Sequence, residues 1–62
     1  MKTYEEYVEE YDEEIPHRSD AYMLGFLDTI AFIFNKSRIQ VSQDTRAYRA
    51  KRYYEDDEKS AF

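Results

Sequence analysis

Glu14 and His17 stand at the Glu-x-x-His spacing with which di-metal carboxylate bundles present two ligands from one helical face. Pro16 lies between them and no second such pair occurs in the 62 residues, so the spacing predicts neither a metal site nor a cofactor. His17, Ser19 and Asp20 carry the residue types of a nucleophilic triad, but triads are assembled from distant positions, and Ser19 reads better as a helix cap. One glycine leaves no phosphate-cradling loop, and no calcium loop with its required glycine is present. These residues predict a protein that binds without catalysing.

Charge is the chemistry the chain does carry. The net charge of −5 divides into three blocks: residues 1–16 are net −6, residues 17–54 net +4, and residues 55–62 net −3. Seven carboxylates fall between Glu5 and Glu14. On a helix that segment spans roughly 14 Å, or one negative charge per ~2 Å, close to the ~1.7 Å per charge of duplex DNA. Glu5, Glu6, Glu9, Glu10 and Glu13 are therefore candidate contacts to a protein partner with a basic surface. The alternative is a solvated face, or one neutralised by the chain's own bases. In the basic block, "RAYRAKRYY" at residues 46–54 interleaves cations with aromatics, as proteins do where they neutralise phosphates and stack on bases. Arg38, Arg46, Arg49, Arg52 and Tyr53 share one helical face and form the candidate nucleic-acid surface, with pairing to the acidic blocks as the competing use.

These side chains need elements to hold them. Thr3 followed by Glu6 is a capping box, and Tyr4, Tyr7, Val8, Tyr11 and Ile15 recur at three and four, which predicts a helix over 4–14 ended by Pro16. The acid-flanked tyrosines lie on the inward stripe, so they read as core rather than as kinase targets. Ser19 opens a second helix over 20–34, whose residues Tyr22, Met23, Leu24, Phe26, Leu27, Ile30, Ala31, Ile33 and Phe34 cover about 200° of the wheel. Two flanking helices are expected to cover that arc. Ala21, Gly25, Asp28, Thr29 and Phe32 remain on a narrow opposite face, which makes Phe32 and Asp28 candidate partner-binding residues, unless a third helix wraps over Phe32. Asn35 suits a left-handed cap, and Ser37 opens a third helix over 38–55. Its core face is ambiguous between the stripe Ile39, Ala47, Ala50, Tyr54 and the pair Val41 and Tyr48. Residues 56–62 are expected to fray, with Phe62 able to dock.

The expected fold is all-α: one small three-helix domain over residues 1–62 with an apolar central helix. Without cysteine and with one histidine, neither disulfides nor a Cys/His zinc site can support it. The apolar stretch at 21–34 is too short to span a membrane, and the acidic start lacks the apolar segment of a secretory signal, so a soluble cytoplasmic protein is expected. In size and acidity the chain is similar to inhibitors encoded by phages and other mobile elements, including DNA mimics and anti-defence proteins. That resemblance implies an inhibitor that masks a basic, nucleic-acid-binding surface on another protein. A nucleic-acid-binding regulator and a homodimer subunit joined through Phe32 are the alternatives.

Overall fold

The computed structural model describes the backbone of residues 1–60 and the side chains of residues 1–55. Three helices, α1 (Tyr4–Glu14), α2 (Asp20–Ile33) and α3 (Arg38–Ser60), are joined by a single 3₁₀ turn at Ile15–His17 and by a short loop. No strand occurs among the described residues.

Local chemistry sets the ends of α1 and α2. The Glu6 amide donates to Thr3 Oγ1 at 3.2 Å and the Thr3 amide to Glu6 Oε1 at 3.1 Å, which closes the capping box on α1. At the far end Pro16 enters the 3₁₀ turn, where its missing N–H leaves no helical bond unmade. Ser19 Oγ accepts from the Tyr22 amide at 3.2 Å and starts α2. Asn35 then adopts φ of 53°, with Asn35 N–H donating to Phe32 O at 3.4 Å and Lys36 N–H to Ala31 O at 2.9 Å. Those two bonds make a Schellman motif, and asparagine tolerates its left-handed position better than most residues. Ser37 Oγ accepts from the Gln40 amide at 3.0 Å as α3 begins.

α2 supplies most of the core. Met23, Leu27, Ile30 and Ala31 are buried with Val8 from α1 and Val41 from α3, and Ile30 and Val41 have no exposed surface. A collar of half-buried rings closes around them: Phe34 lies edge-on to Tyr4 and Tyr7 at 5.2 and 5.6 Å between centroids, and Tyr11 meets Phe26 at 5.9 Å. Such edge contacts add to the burial of the rings, and the tyrosine hydroxyls stay at the rim, which suits a core this shallow.

One expectation about helix faces needs correction, and one open choice is resolved. Tyr22 and Leu24 are 46% and 54% exposed, so α1 and α3 leave the two edges of the 200° arc uncovered. On α3 the inward stripe is Val41, Thr45 and Tyr48, while Ile39 and Tyr54 are 72% and 68% exposed and Ala47 and Ala50 also face out. Thr45 is buried without penalty because its hydroxyl donates to Ser42 O at 2.7 Å. α3 also continues as helix to Ser60, past the expected end near residue 55. Phe62 lies outside the described residues.

Contacts between residues far apart in sequence fix the helix directions. The Tyr4 hydroxyl donates to the Asp44 carboxylate, which also accepts from Gln40 Nε2 at 2.9 Å. Eight residues later along α1, Asp12 meets Arg49 and Arg52. α1 and α3 therefore run parallel, with α2 antiparallel to both. At about 1.5 Å per residue α3 is more than twice as long as α1, so its final turns run on past the last residue of α1.

Burial, and then the bond to Asp44, push the Tyr4 phenol well above its ordinary value of 10. A folded state that holds this proton more tightly than the unfolded chain keeps the full contribution below pH 10 and loses it as pH rises through the folded value. The melting temperature is thus expected to fall as pH is raised above 10, and Tyr4→Phe is expected to flatten that alkaline limb. A melting series at pH 8–11.5 reads both.

Candidate protein-docking surface

The acids of α1 divide by position on the helix. Asp12 faces α3 and is the most enclosed; its carboxylate accepts from Arg49 Nε at 2.8 Å and lies 3.6 Å from an Arg52 nitrogen. Glu10 and Glu14 face α2. Lys2 pairs with Glu10, and Arg18 Nε donates to Glu14 Oε2 at 2.8 Å. The Glu10 bond is the main cause that raises the Lys2 ammonium above its ordinary value, and the Glu14 bond does the same for Arg18. Glu6 keeps its charge at the surface while closing the capping box. Glu5, Glu9 and Glu13 are exposed and have no cationic partner among the described residues.

Free charge is consequently sparser than the raw count of carboxylates suggests. Glu5, Glu6, Glu9 and Glu13 lie along roughly 12 Å of axis, or one charge per ~3 to 4 Å. That matches the ~3.4 Å per charge of one nucleic-acid strand better than the ~1.7 Å of a duplex.

Neutralisation is more complete on the basic face of α3. Arg49 and Arg52 are drawn onto Asp12, and Arg38 pairs with Asp28 of α2 at 3.2 Å. Three of the five residues proposed for nucleic acid are thereby drawn to two neighbouring helices, and Arg46 is the one arginine of that set without an acidic partner among the described residues. Arg52 continues the inward stripe of Val41, Thr45 and Tyr48 one turn further. There it faces the last turn of α1 instead of the core. Tyr53 is 71% exposed, its ring edge-on to Tyr54 at 6.3 Å between centroids, and with Arg46, Arg49 and Ala50 these rings line a shallow hollow.

Phe32 is 88% exposed, so α3 does not wrap over it. Asp28 precedes it by one turn on the same exposed face, tied to Arg38. Gly25, also on this face, has no heavy atom within 4 Å of the place a Cβ would occupy, and nothing inside the monomer requires a glycine there.

Glu14 is committed to Arg18, and His17 is exposed. Among the described residues no three His, Asp or Glu side chains gather as metal ligands. Nor is any described helix long and apolar enough to cross a membrane.

Three arrangements escaped the reading of the sequence. The Tyr4 and Asp44 contact joins residues 40 apart and leaves no local signal. Asp12 looks like any other acid of α1 until α3 is placed beside it. Arg18 was more accessible, since Glu14 and Arg18 are four apart, the spacing at which helical charges pair. Comparison with family models, curated proteins and solved structures returned no match.

Proposed function

We propose that this is a non-enzymatic docking protein that lays the outer face of α1 against a basic surface of another protein. One observation carries the reading. Glu5, Glu9 and Glu13 keep no cationic partner among the described residues, whereas three of the four arginines proposed for nucleic acid are paired within the chain. Uncompensated charge on one face raises the rate of encounter with the opposite sign, and internally paired charge does not. The strand-like charge spacing suits a groove built for nucleic acid, so the effect on such a partner would be inhibition by occupancy. That is the manner of action of the phage and mobile-element inhibitors whose composition the chain resembles.

The test is a parallel titration of the protein with duplex DNA and with a DNA-binding protein of strongly basic groove, each at low and high salt. Binding to the basic protein that weakens with salt and displaces its DNA supports the reading. Binding to DNA itself overturns it in favour of the α3 surface. A second reading, a homodimer, is favoured by the exposure of Phe32 and Leu24 together on α2. Sedimentation of wild type beside Phe32→Ser tests it, with dimer lost only in the variant as the supporting result.

A further inference from the structure

Gly25 and Phe32 stand seven residues apart on α2, close to two full turns, so they share its exposed face about 10 Å from one another. They are opposite in shape. Phe32 projects its ring into solvent at 88% exposure. Gly25 instead borders an open groove of about 490 Å³ between α1 and α2, whose walls include Tyr7, Tyr22 and Thr29, and no heavy atom lies within 4 Å of the place its Cβ would occupy. The helix thus carries a projecting ring and, two turns before it, a hollow large enough to take one.

That face is complementary to itself. When two copies of α2 lie antiparallel about a two-fold axis, a residue that meets a second residue on the other copy is met by it in return. With the axis between Asp28 and Thr29, midway from Gly25 to Phe32, each ring comes over the other copy's glycine and both contacts form at once. The pair is then closed and does not grow into a filament. The residues at the axis are already compensated: Thr29 Oγ1 donates to Gly25 O at 2.9 Å, and Asp28 is held by Arg38 at 3.2 Å. Covering them leaves no polar group without a partner. Asp28 is also the only charged residue between positions 21 and 34, so copies of a chain of net charge −5 meet there with little repulsion. Phe32, the 54% exposed Leu24 and the 46% exposed Tyr22, with the backbone around Gly25, offer roughly 400 to 600 Å² per copy. Two copies would bury about 800 to 1,200 Å², at the lower edge of specific interfaces, where a second copy is held weakly and reversibly.

We infer that α2 pairs antiparallel with α2 of a second copy of this chain, Phe32 of each copy seated against Gly25 of the other. The inference rests on the homodimer reading and supplies the contact it lacks. Gly25 gains a role in it, since a glycine weakens the interior of a helix and nothing inside the monomer requires one here. Glu9, in the middle of the acidic face, lies about 100° around α1 from Glu10 at the rim of the groove. Pairing through α2 therefore leaves the acidic face of each copy open to a basic partner.

The experiment is sedimentation of the full chain over a range of concentration and salt, for wild type, Phe32→Ala, Gly25→Leu and an equimolar mixture of the two variants. Phe32→Ala removes the ring and Gly25→Leu fills its seat. Each is expected to weaken dimerisation at least tenfold while staying helical, and Gly25→Leu to melt above wild type because leucine is the better helix former. In the mixture a mixed pair keeps one ring and one seat, so part of the dimer that neither variant forms alone should return. Added salt should strengthen the dimer by screening the repulsion between like-charged copies, the reverse of its effect on docking through α1. A wild type that stays monomeric at the highest attainable concentration overturns both the homodimer reading and this geometry, and leaves the acidic-face reading untouched. If Phe32→Ala abolishes the dimer while Gly25→Leu, with more apolar surface exposed, dimerises as well as wild type or better, the homodimer stands and the seat at Gly25 is overturned.

Discussion

Leu27→Ala is expected to abolish most of the cooperative thermal transition of this protein, and Ile30→Ala to do so more completely. Both side chains sit in the centre of the α2 face, Leu27 at 7% exposure and Ile30 at none. Removing three methyl-sized groups from such a site costs about 2 to 5 kcal/mol, from lost burial and from the cavity left behind. A chain of 62 residues has only about 3 to 9 kcal/mol to lose at typical stabilities per residue. Phe32→Ser supplies the contrast. At 88% exposure Phe32 contributes little burial, so its replacement should shift the melt by the small amount typical of surface sites, within about 0.5 kcal/mol. Circular dichroism melts of the three variants check the assignment of faces on α2. Equal destabilisation by Leu27→Ala and Phe32→Ser would mean that the helix is rotated about its axis.

Glutamine at Glu5, Glu9 and Glu13 together is the second large expected effect, and it concerns association and not folding. The change removes three charges and nearly preserves helix propensity. It breaks no ion pair of the described residues. Folding should be retained, with a slightly higher melting temperature as repulsion along α1 falls. The rate of association with a basic partner should drop about tenfold or more at low salt, where long-range attraction governs encounter. Near physiological ionic strength screening shortens the reach of these charges to about 8 Å, and the rates of wild type and variant should converge as salt is raised further. Stopped-flow association across a salt series measures both. Identical rates at low salt would leave the acidic face as a solubility device and direct attention to Phe32 or α3.

The helices were legible because their ends are written in local chemistry. Thr3 with Glu6, Pro16, Ser19, Asn35 and Ser37 each act within four residues, and a single chain carries that information whole. The face that carries Phe32 was legible too, since the wheel places it among Ala21, Gly25 and Asp28, but whether α3 wraps over that face is decided by packing, which leaves Phe32 88% exposed. The face of α3 was not, for its polarity is inverted: Thr45 turns inward with its hydroxyl satisfied by Ser42, while Ile39 and Tyr54 turn outward. Hydrophobic periodicity has no means of detecting a buried threonine that finds its partner one turn back. Leu24 was misjudged because an arc on the wheel says which residues can be covered. How far the neighbouring helices reach around it is settled by packing. The division of the α1 acids into paired and unpaired sets depended on where α3 and the flanking Lys2 and Arg18 come to rest, and those are tertiary facts.

The most direct test of the acidic face as the docking surface is backbone amide chemical-shift mapping on isotope-labelled protein as an arginine-rich peptide is added. The account predicts that the shifts concentrate on α1, at Glu5, Glu9 and Glu13 and the turns that carry them, and fade as salt is raised. Shifts confined to residues 46–54 of α3, or spread evenly over the chain with no preference for α1, would contradict it.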